Sequence, residues 1–317
     1  MWQKDTFDRA GIDRELGWAE SLGFNSLRAF LHSLAWRQDP QGYLERIDEF
    51  LALADKHRIG VLFVFFDSCW QPTPKAGAQP APKPHVHNSG WVQDPGKATL
   101  EDPAAFARLK FYVQAVAKRF RDDKRVHGWD VWNEPDNTND SSYGPLEPRN
   151  KAELVAPKLA QVFAWLREVN LTQPLRSGVW RGDWSSDAKL SPVERIQLEQ
   201  SDVISFHTYG NAEELAKRIE SLRRYGRHLL CTEYMARPAG CTFDPNLGLM
   251  KQAGVAAYNW GFVSGKTQAI YPWDSWEKSY TAEPPVRFHD IFRPDGTPYI
   301  RAEADYIRGL TGKARAR

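Results

Sequence analysis

Cysteine is scarce in this chain of 317 residues: Cys69, Cys231 and Cys241 are the only three, with spacings that match no metal motif and an odd number for pairing. Neither a disulfide framework nor a structural zinc site is expected. An excess of one charge is also lacking. Lysine and arginine number 42 against 40 aspartate and glutamate, for a formal net charge of +2, and the one basic cluster is the tail from Lys313 to Arg317. Nucleic acid and anionic membranes are therefore not expected as partners. No apolar stretch is long enough to span a bilayer, and the opening MWQKDTFDRAGIDRELGW is charged and amphipathic where a secretion signal would be apolar. As it stands the sequence is expected in the cytoplasm, or in the periplasm or outside the cell if a leader has been removed. No glycine-rich phosphate loop follows any predicted strand, which leaves an open dinucleotide-binding sheet as an unsupported alternative.

What the chain has in quantity is aromatic side chains. Thirteen Trp, 11 Tyr and 16 Phe make 13% of it, and many of the tryptophans fall in predicted loops. Loop tryptophans suit flat, partly apolar ligands such as sugar rings.

Hydrophobic periodicity alternates between helical and strand-like runs. A helix over 12–22 stops at Gly23 and precedes a buried strand over 25–32; a helix over 44–60 precedes the strand 61–66. A long segment, about 67–100, is rich in Pro, His and Trp and has no periodicity, which marks a functional loop. Further helices over 103–123, 152–169, 212–226 and 301–311 alternate with strands over 127–132, 174–180, 202–209, 228–234 and 254–261. Near-continuous apolar strands between helices predict an α/β fold with a parallel sheet and helices outside. Residues 1–317 are expected to form a single (β/α)8 TIM-barrel domain whose first β-strand is missing, because only seven strands are found and the chain enters on a helix. The resulting gap is expected to be covered by the N-terminal segment or by a second chain.

In such a barrel the site lies at the C-terminal ends of the strands. Two carboxylates stand there with room for a ligand between them: Glu134 in GWDVWNEPDN and Glu233 in CTEY. Glycoside hydrolysis needs such a pair, one to protonate the leaving oxygen and one to attack the anomeric carbon or activate water. The ordered set of WNEP (132–135), FHTY (206–209), CTEY (231–234), Arg28 and Trp260 resembles a clan A glycoside hydrolase, nearest to the family 5 cellulase-like enzymes. The resemblance implies that Glu134 is the acid/base, Asn133 the binder of the sugar 2-hydroxyl, Glu233 the nucleophile, Arg28 its neighbouring arginine, His207 and Tyr209 the His-x-Tyr pair, and Trp260 the floor of the donor subsite.

The physics of the roles agrees. An acid/base needs a raised pKa, and a nucleophile must stay ionised, which Arg28 and Tyr209 favour. His32, Asp67, Trp180 and Trp273 are further expected substrate-binding or supporting residues, and about half of Trp70, Trp91, Trp180, Trp184, Trp273 and Trp276 are expected to touch sugar. Asp67, Asp136 and Asp183 read equally as hydroxyl binders or turn caps. Cys231 reads as a buried small residue, Trp132 as packing, and the His-x-His of His85 and His87 as a solvated loop more than a metal pair. No metal and no cofactor are expected, since two carboxyl groups suffice.

The expected activity is a retaining hydrolase of β-linked oligo- or polysaccharides, β-1,4-glucan first, with mannan and xylan next. An exo-acting β-glycosidase on short oligosaccharides and a non-catalytic carbohydrate-binding barrel stand as alternatives. The long loop bears on the choice, because a walled cleft favours exo action and an open groove endo action.

Overall fold

The computed structural model describes residues 1–313, so residues 314–317 of the basic tail lie outside the described residues. The chain runs through α1 (Arg9–Ser21), β1 (Ser26–Phe30), α2 (Ser33–Gln38), α3 (Pro40–Lys56), β2 (Gly60–Asp67), α4 (Lys97–Glu101), α5 (Pro103–Phe120) and β3 (Val126–Asn133). It continues through α6 (Lys151–Arg167), β4 (Leu175–Arg176), α7 (Pro192–Gln200), β5 (Ile204–His207), α8 (Ala212–Arg223), β6 (Leu229–Glu233), α9 (Phe243–Ala253), β7 (Ala256–Ala257) and α10 (Arg301–Thr311).

Every neighbouring strand pair is parallel. The ladders β1 to β4 and β5 to β7 join through the parallel bridge between Val179 and Phe206. Burial explains the helical coat: all of β2, GVLFVFFD, is inaccessible, so both faces of the strand must be covered. Rings on the strands stack on one another and on the helices: Phe65 of β2 on Trp129 of β3 at 5.2 Å, and Trp132 of β3 on Phe106 of α5 at 6.1 Å. Trp132 is fully buried, as strand packing predicts.

Four helices were not anticipated, the short α2 and α4 and the longer α7 and α9. For α7 a signal existed: Ser191 and Glu194 form a reciprocal capping box and Pro192 holds the first turn. For α9, Pro245 and Gly248 interrupt the helical pattern, and the end is set by Gly254 at φ 68°. The predicted strands 174–180 and 254–261 form continuous ladders of only two residues each, the first adding the single bridge at Val179. After Arg176 the ladder breaks because the Ser177 N–H turns to the Ser201 hydroxyl, 3.1 Å away.

This is a (β/α)8-type barrel with seven strands among the described residues and a seam between β7 and β1, where no backbone pairing is found among those residues. Side chains bridge the seam. Tyr258 Oη donates to Ser26 Oγ over 2.8 Å, and Phe24 packs on Phe262 at 6.1 Å. Asn25 O and Leu31 N–H bond to β2, so by alternation the Phe30 carbonyl faces the seam, and the Trp2 indole donates to it at 2.6 Å. Trp2 is itself anchored among Tyr43, Phe50 and Phe63. The N-terminal segment therefore covers part of the edge, as the strand count led one to expect.

Candidate active site

β3 and β6 deliver the two carboxylates to the same end of the barrel. Beyond Asn133 the chain turns sharply, with Glu134 at φ 42°, a left-handed conformation that a residue with a Cβ adopts only when its surroundings enforce it. A register shift between Phe206 and His207 sets His207 beside Glu233 on the neighbouring strand. Bulges of this kind re-aim side chains at sites. As a result one oxygen of Glu134, one of Glu233 and a His207 nitrogen all lie within 4.8 Å of one another.

The carboxylates have different partners. Glu233 meets the Arg28 guanidinium at 3.1 Å and the Tyr209 hydroxyl, which donates at 2.8 Å. Glu134 meets His207 Nδ1 at 2.8 Å on Oε1, and on Oε2 it accepts from Asn137 Nδ2 at 2.7 Å and Cys69 Sγ at 3.2 Å. Burial pushes both carboxyls above the ordinary glutamate value. What opposes burial differs: Glu233 has a permanent cation and a phenol in direct contact, whereas the groups touching Glu134 are neutral. His207, fully buried, is pushed down to about 4 by desolvation and is therefore neutral near pH 7. Glu233 is the better anion and Glu134 the better acid.

Beneath the pair lies a buried ion network. Arg28 also binds Asp130 at 2.9 Å and the Asn133 side-chain oxygen at 2.9 Å, while Arg176 reaches Asp130 at 3.2 Å. Two arginines thus balance Asp130 and Glu233. Two carboxylates and an imidazole are a donor set that a cation could use, but Arg28 already neutralises Glu233, so the trio lacks the surplus negative charge on which a divalent site is built. Replacing Arg28 with methionine is expected to lower stability by about 3–5 kcal/mol, because two buried carboxylates lose a partner. Chemical denaturation measures this; a loss under about 1 kcal/mol would mean that the network relaxes without it.

Most of the predicted residues converge. Asn133 is locked between Arg28 and Asp67, donating to Asp67 Oδ1 over 2.9 Å. Asp67 also accepts from the Trp91 indole at 2.5 Å, and burial pushes it up to about 6. Trp260 packs edge-on against Phe30 and Trp91, and Trp273 against Tyr209 at 5.1 Å. Trp180 is half-buried and held by Asp136, its indole donating at 2.8 Å, and Asp136 also binds Arg181.

Others lie elsewhere. His32 does not join the pair: its Nδ1 accepts from the Leu34 N–H and caps α2. Trp184 is buried and donates to Glu194, so it is packing. Asp183 is on the surface with Lys189, and Cys231 is buried in the core. Of the His85 and His87 pair, His85 is half-buried and His87 is withdrawn from solvent. His87 is 1% exposed, held by the Tyr271 carbonyl at 2.7 Å, and His85 bonds the Tyr271 hydroxyl.

Asp130, Arg176, Asn137 and Cys69 were missed. Asp130 had a signal, a charge inside an apolar strand that must find a buried partner. Cys69 had none, since a thiol two residues past a strand carries no pattern.

A wall stands beside the pair. Residues 83–91 and 264–276 are laced together: Gln268 accepts from the His85 N–H and donates to the Lys83 and Val86 carbonyls, Asn88 N–H donates to Thr267 O, His87 N–H to Ser275 Oγ, and the Trp276 indole to His87 O. Trp70 stacks on Trp276 at 5.8 Å, which Tyr143 also meets at 4.9 Å. The wall runs from Trp70, next to Cys69, to Trp273, next to Tyr209. Glu134 and Glu233 are left only 7% and 6% exposed.

With one oxygen of each within 4.8 Å of the other, the two carboxyls are close enough to act on one anomeric centre, which suits the separation of about 5–5.5 Å in retaining hydrolysis better than that of about 6.5–9.5 Å in inverting hydrolysis. Comparison with known proteins points the same way. The chain is similar to the endo-β-1,4-mannanase from Thermotoga petrophila (14% identity, 96% of this chain, 73% of that one, TM-score 0.62). It is also similar to the endo-1,4-β-mannanase from Rhizomucor miehei (14%, 95% and 91%, 0.61) and to GH5_18 from Streptomyces cattleya in complex with GlcNAc (16%, 98% and 77%, 0.64). At these identities the likenesses carry the fold. No curated protein matches the chain. The model of the cellulase family, glycosyl hydrolase family 5, matches residues 20–263, and on that span the chain belongs to glycosyl hydrolase family 5.

Proposed function

We propose that this retaining β-glycoside hydrolase is exo-acting, removing single sugars from the ends of short β-1,4-linked gluco- or manno-oligosaccharides, with Glu233 as nucleophile and Glu134 as acid/base. The observation that carries the exo reading is the laced wall beside two carboxylates that are almost inaccessible. A polymer threading through an endo site needs both flanks open; a pocket accepts a chain end. Between the two sequence expectations, the geometry favours the second. The manno- or gluco-configured choice draws on the mannanases and the GlcNAc-bound enzyme whose fold this chain shares.

In the first step the Glu233 carboxylate attacks the anomeric carbon while Glu134 gives its proton to the departing oxygen, so one C–O bond forms as another breaks. Arg28 and Tyr209 hold Glu233 aimed and ionised until it attacks. Asn133 has one side-chain N–H committed to Asp67 and the other facing Cys69 Sγ at 3.6 Å, a weak contact that a sugar 2-hydroxyl displaces. In the second step Glu134 takes a proton from water, which attacks the glycosyl ester and frees Glu233. Trp260, Trp273 and Trp180 offer ring faces or edges around this centre.

The test is product analysis on cello- and manno-oligosaccharides of two to six units. Release of monosaccharide alone at early times, with the remaining chain one unit shorter, is the expected result. Early mixtures of internal fragments, or a rapid fall in the viscosity of soluble glucan or mannan, would show that the cleft is open and the exo reading wrong.

A further inference from the structure

Cys69 lies against Glu134, and its surroundings fix what its one proton does. Its own N–H donates to Asp67 Oδ1 at 3.2 Å, which anchors the residue behind the catalytic end of β2. Two amides point at its sulfur, Asn133 Nδ2 at 3.6 Å and Asn137 Nδ2 at 3.5 Å. Each amide gives its other hydrogen to a carboxylate, Asn133 to Asp67 and Asn137 to Glu134 Oε2. With its lone pairs facing N–H groups, the sulfur directs its S–H to Glu134 Oε2, 3.2 Å away. Burial, reinforced by the charges of Asp67 and Glu134, holds the thiol well above its ordinary value, so it is a donor and not a thiolate.

We propose that Cys69 is a positioning residue for the acid/base: together with Asn137 it occupies Glu134 Oε2 with donors, and so leaves Oε1 as the oxygen that carries the transferable proton. The inference rests on the reading of Glu134 as acid/base. A proton on Oε2 would face two hydrogens. On Oε1 it faces His207 Nδ1 at 2.8 Å, a neutral ring that accepts when its own proton sits on Nε2. When the leaving group departs with the proton, the new carboxylate finds S–H and N–H already in place. The thiol therefore contributes where charge develops, which is where a donor accelerates reaction. It also lowers the pKa of Glu134 against the upward push of burial.

The experiment measures pH profiles of kcat/KM for wild type, Cys69→Ala and Cys69→Ser on aryl β-glucosides and aryl β-mannosides with good and poor leaving groups. Removing a donor from the anion raises the pKa of the acid, so in Cys69→Ala the alkaline limb moves up by about half a pH unit. The loss of rate is expected to grow as the leaving group worsens, because only then does proton transfer matter. Cys69→Ser keeps an O–H donor and is expected to restore both the limb and the leaving-group pattern. An unmoved limb in Cys69→Ala, equal loss on all leaving groups, or a serine variant as impaired as alanine would reduce Cys69 to a packing residue. Glu134→Ala in the same series separates the two readings. If it shows no selective loss on poor leaving groups, the acid/base assignment fails; if it does and Cys69→Ala leaves the limb in place, only the inference about Cys69 fails.

Discussion

Glu233→Ala is expected to lower kcat/KM on β-glycosides by about 10⁵-fold, the scale on which enzymes lose rate when a covalent nucleophile is deleted. The loss of rate should be chemical, with the fold kept. Arg28 retains Asp130 and Asn133, each at 2.9 Å, and the Thr232 carbonyl at 2.8 Å, so circular dichroism is expected to change little, but two buried arginines then face Asp130 alone and the midpoint of thermal unfolding is expected to fall. Added azide supplies a sharper readout. It enters the space that the carboxylate vacates and displaces the leaving group once, so a β-glycoside yields an α-glycosyl azide. Turnover within tenfold of wild type on aryl glucosides and aryl mannosides alike would take Glu233 out of the nucleophile role, as would an azide product of retained configuration.

How much of this was legible in the sequence depends on what kind of physics fixed each feature. Strands β2 and β3 were read almost to the residue because a parallel strand covered on both faces must be an unbroken apolar run, as GVLFVFF is. β4 and β7 were overextended, since an apolar segment can lie along a sheet while its N–H groups go elsewhere, as Ser177 does to Ser201. The positions Arg28, Asn133, Glu134, His207, Tyr209 and Glu233 were read from ordered motifs, and the structure brings all six into one cluster. The cap that His32 makes was not legible, because a histidine at a strand end reads alike whether it faces a ligand or caps the next helix; the cap geometry depends on where α2 begins. The wall was beyond reach for another reason. The loop was recognisable as functional, but its partner lies some 180 residues away, for example Gln268 against His85, and single-sequence patterns carry no pairing between irregular segments. Cys69 was missed for a different reason: its contacts with Asn133, Glu134 and Asn137 follow from β2 and β3 lying side by side, but a thiol past a strand end carries no pattern that announces them.

Glu134→Ala is expected to lower kcat/KM by about 10³-fold on glycosides with poor leaving groups and far less on dinitrophenyl glycosides, since general acid catalysis contributes about 10²–10⁴-fold only where the leaving oxygen needs a proton. Glycosyl-enzyme then accumulates because no base activates water. Azide, which needs no base, is expected to rescue turnover and give a β-glycosyl azide, two displacements restoring the starting configuration. The pair of azide products thus assigns the two glutamates without reference to rate. The pH profile supplies the remaining step. In the wild type Glu134 must be protonated and Glu233 ionised, so kcat/KM falls as pH drops through the pKa of Glu233 and as it rises through that of Glu134. Burial raises both, placing the two limbs above the ordinary glutamate range. In Glu134→Ala the alkaline limb is expected to flatten while the acid limb stays. If the alkaline limb persists, another buried acid is titrating, and the geometry names it: Asp67, pushed up to about 6 by burial and bonded to Asn133 at 2.9 Å. Asp67→Asn would then abolish the limb that Glu134→Ala had left in place.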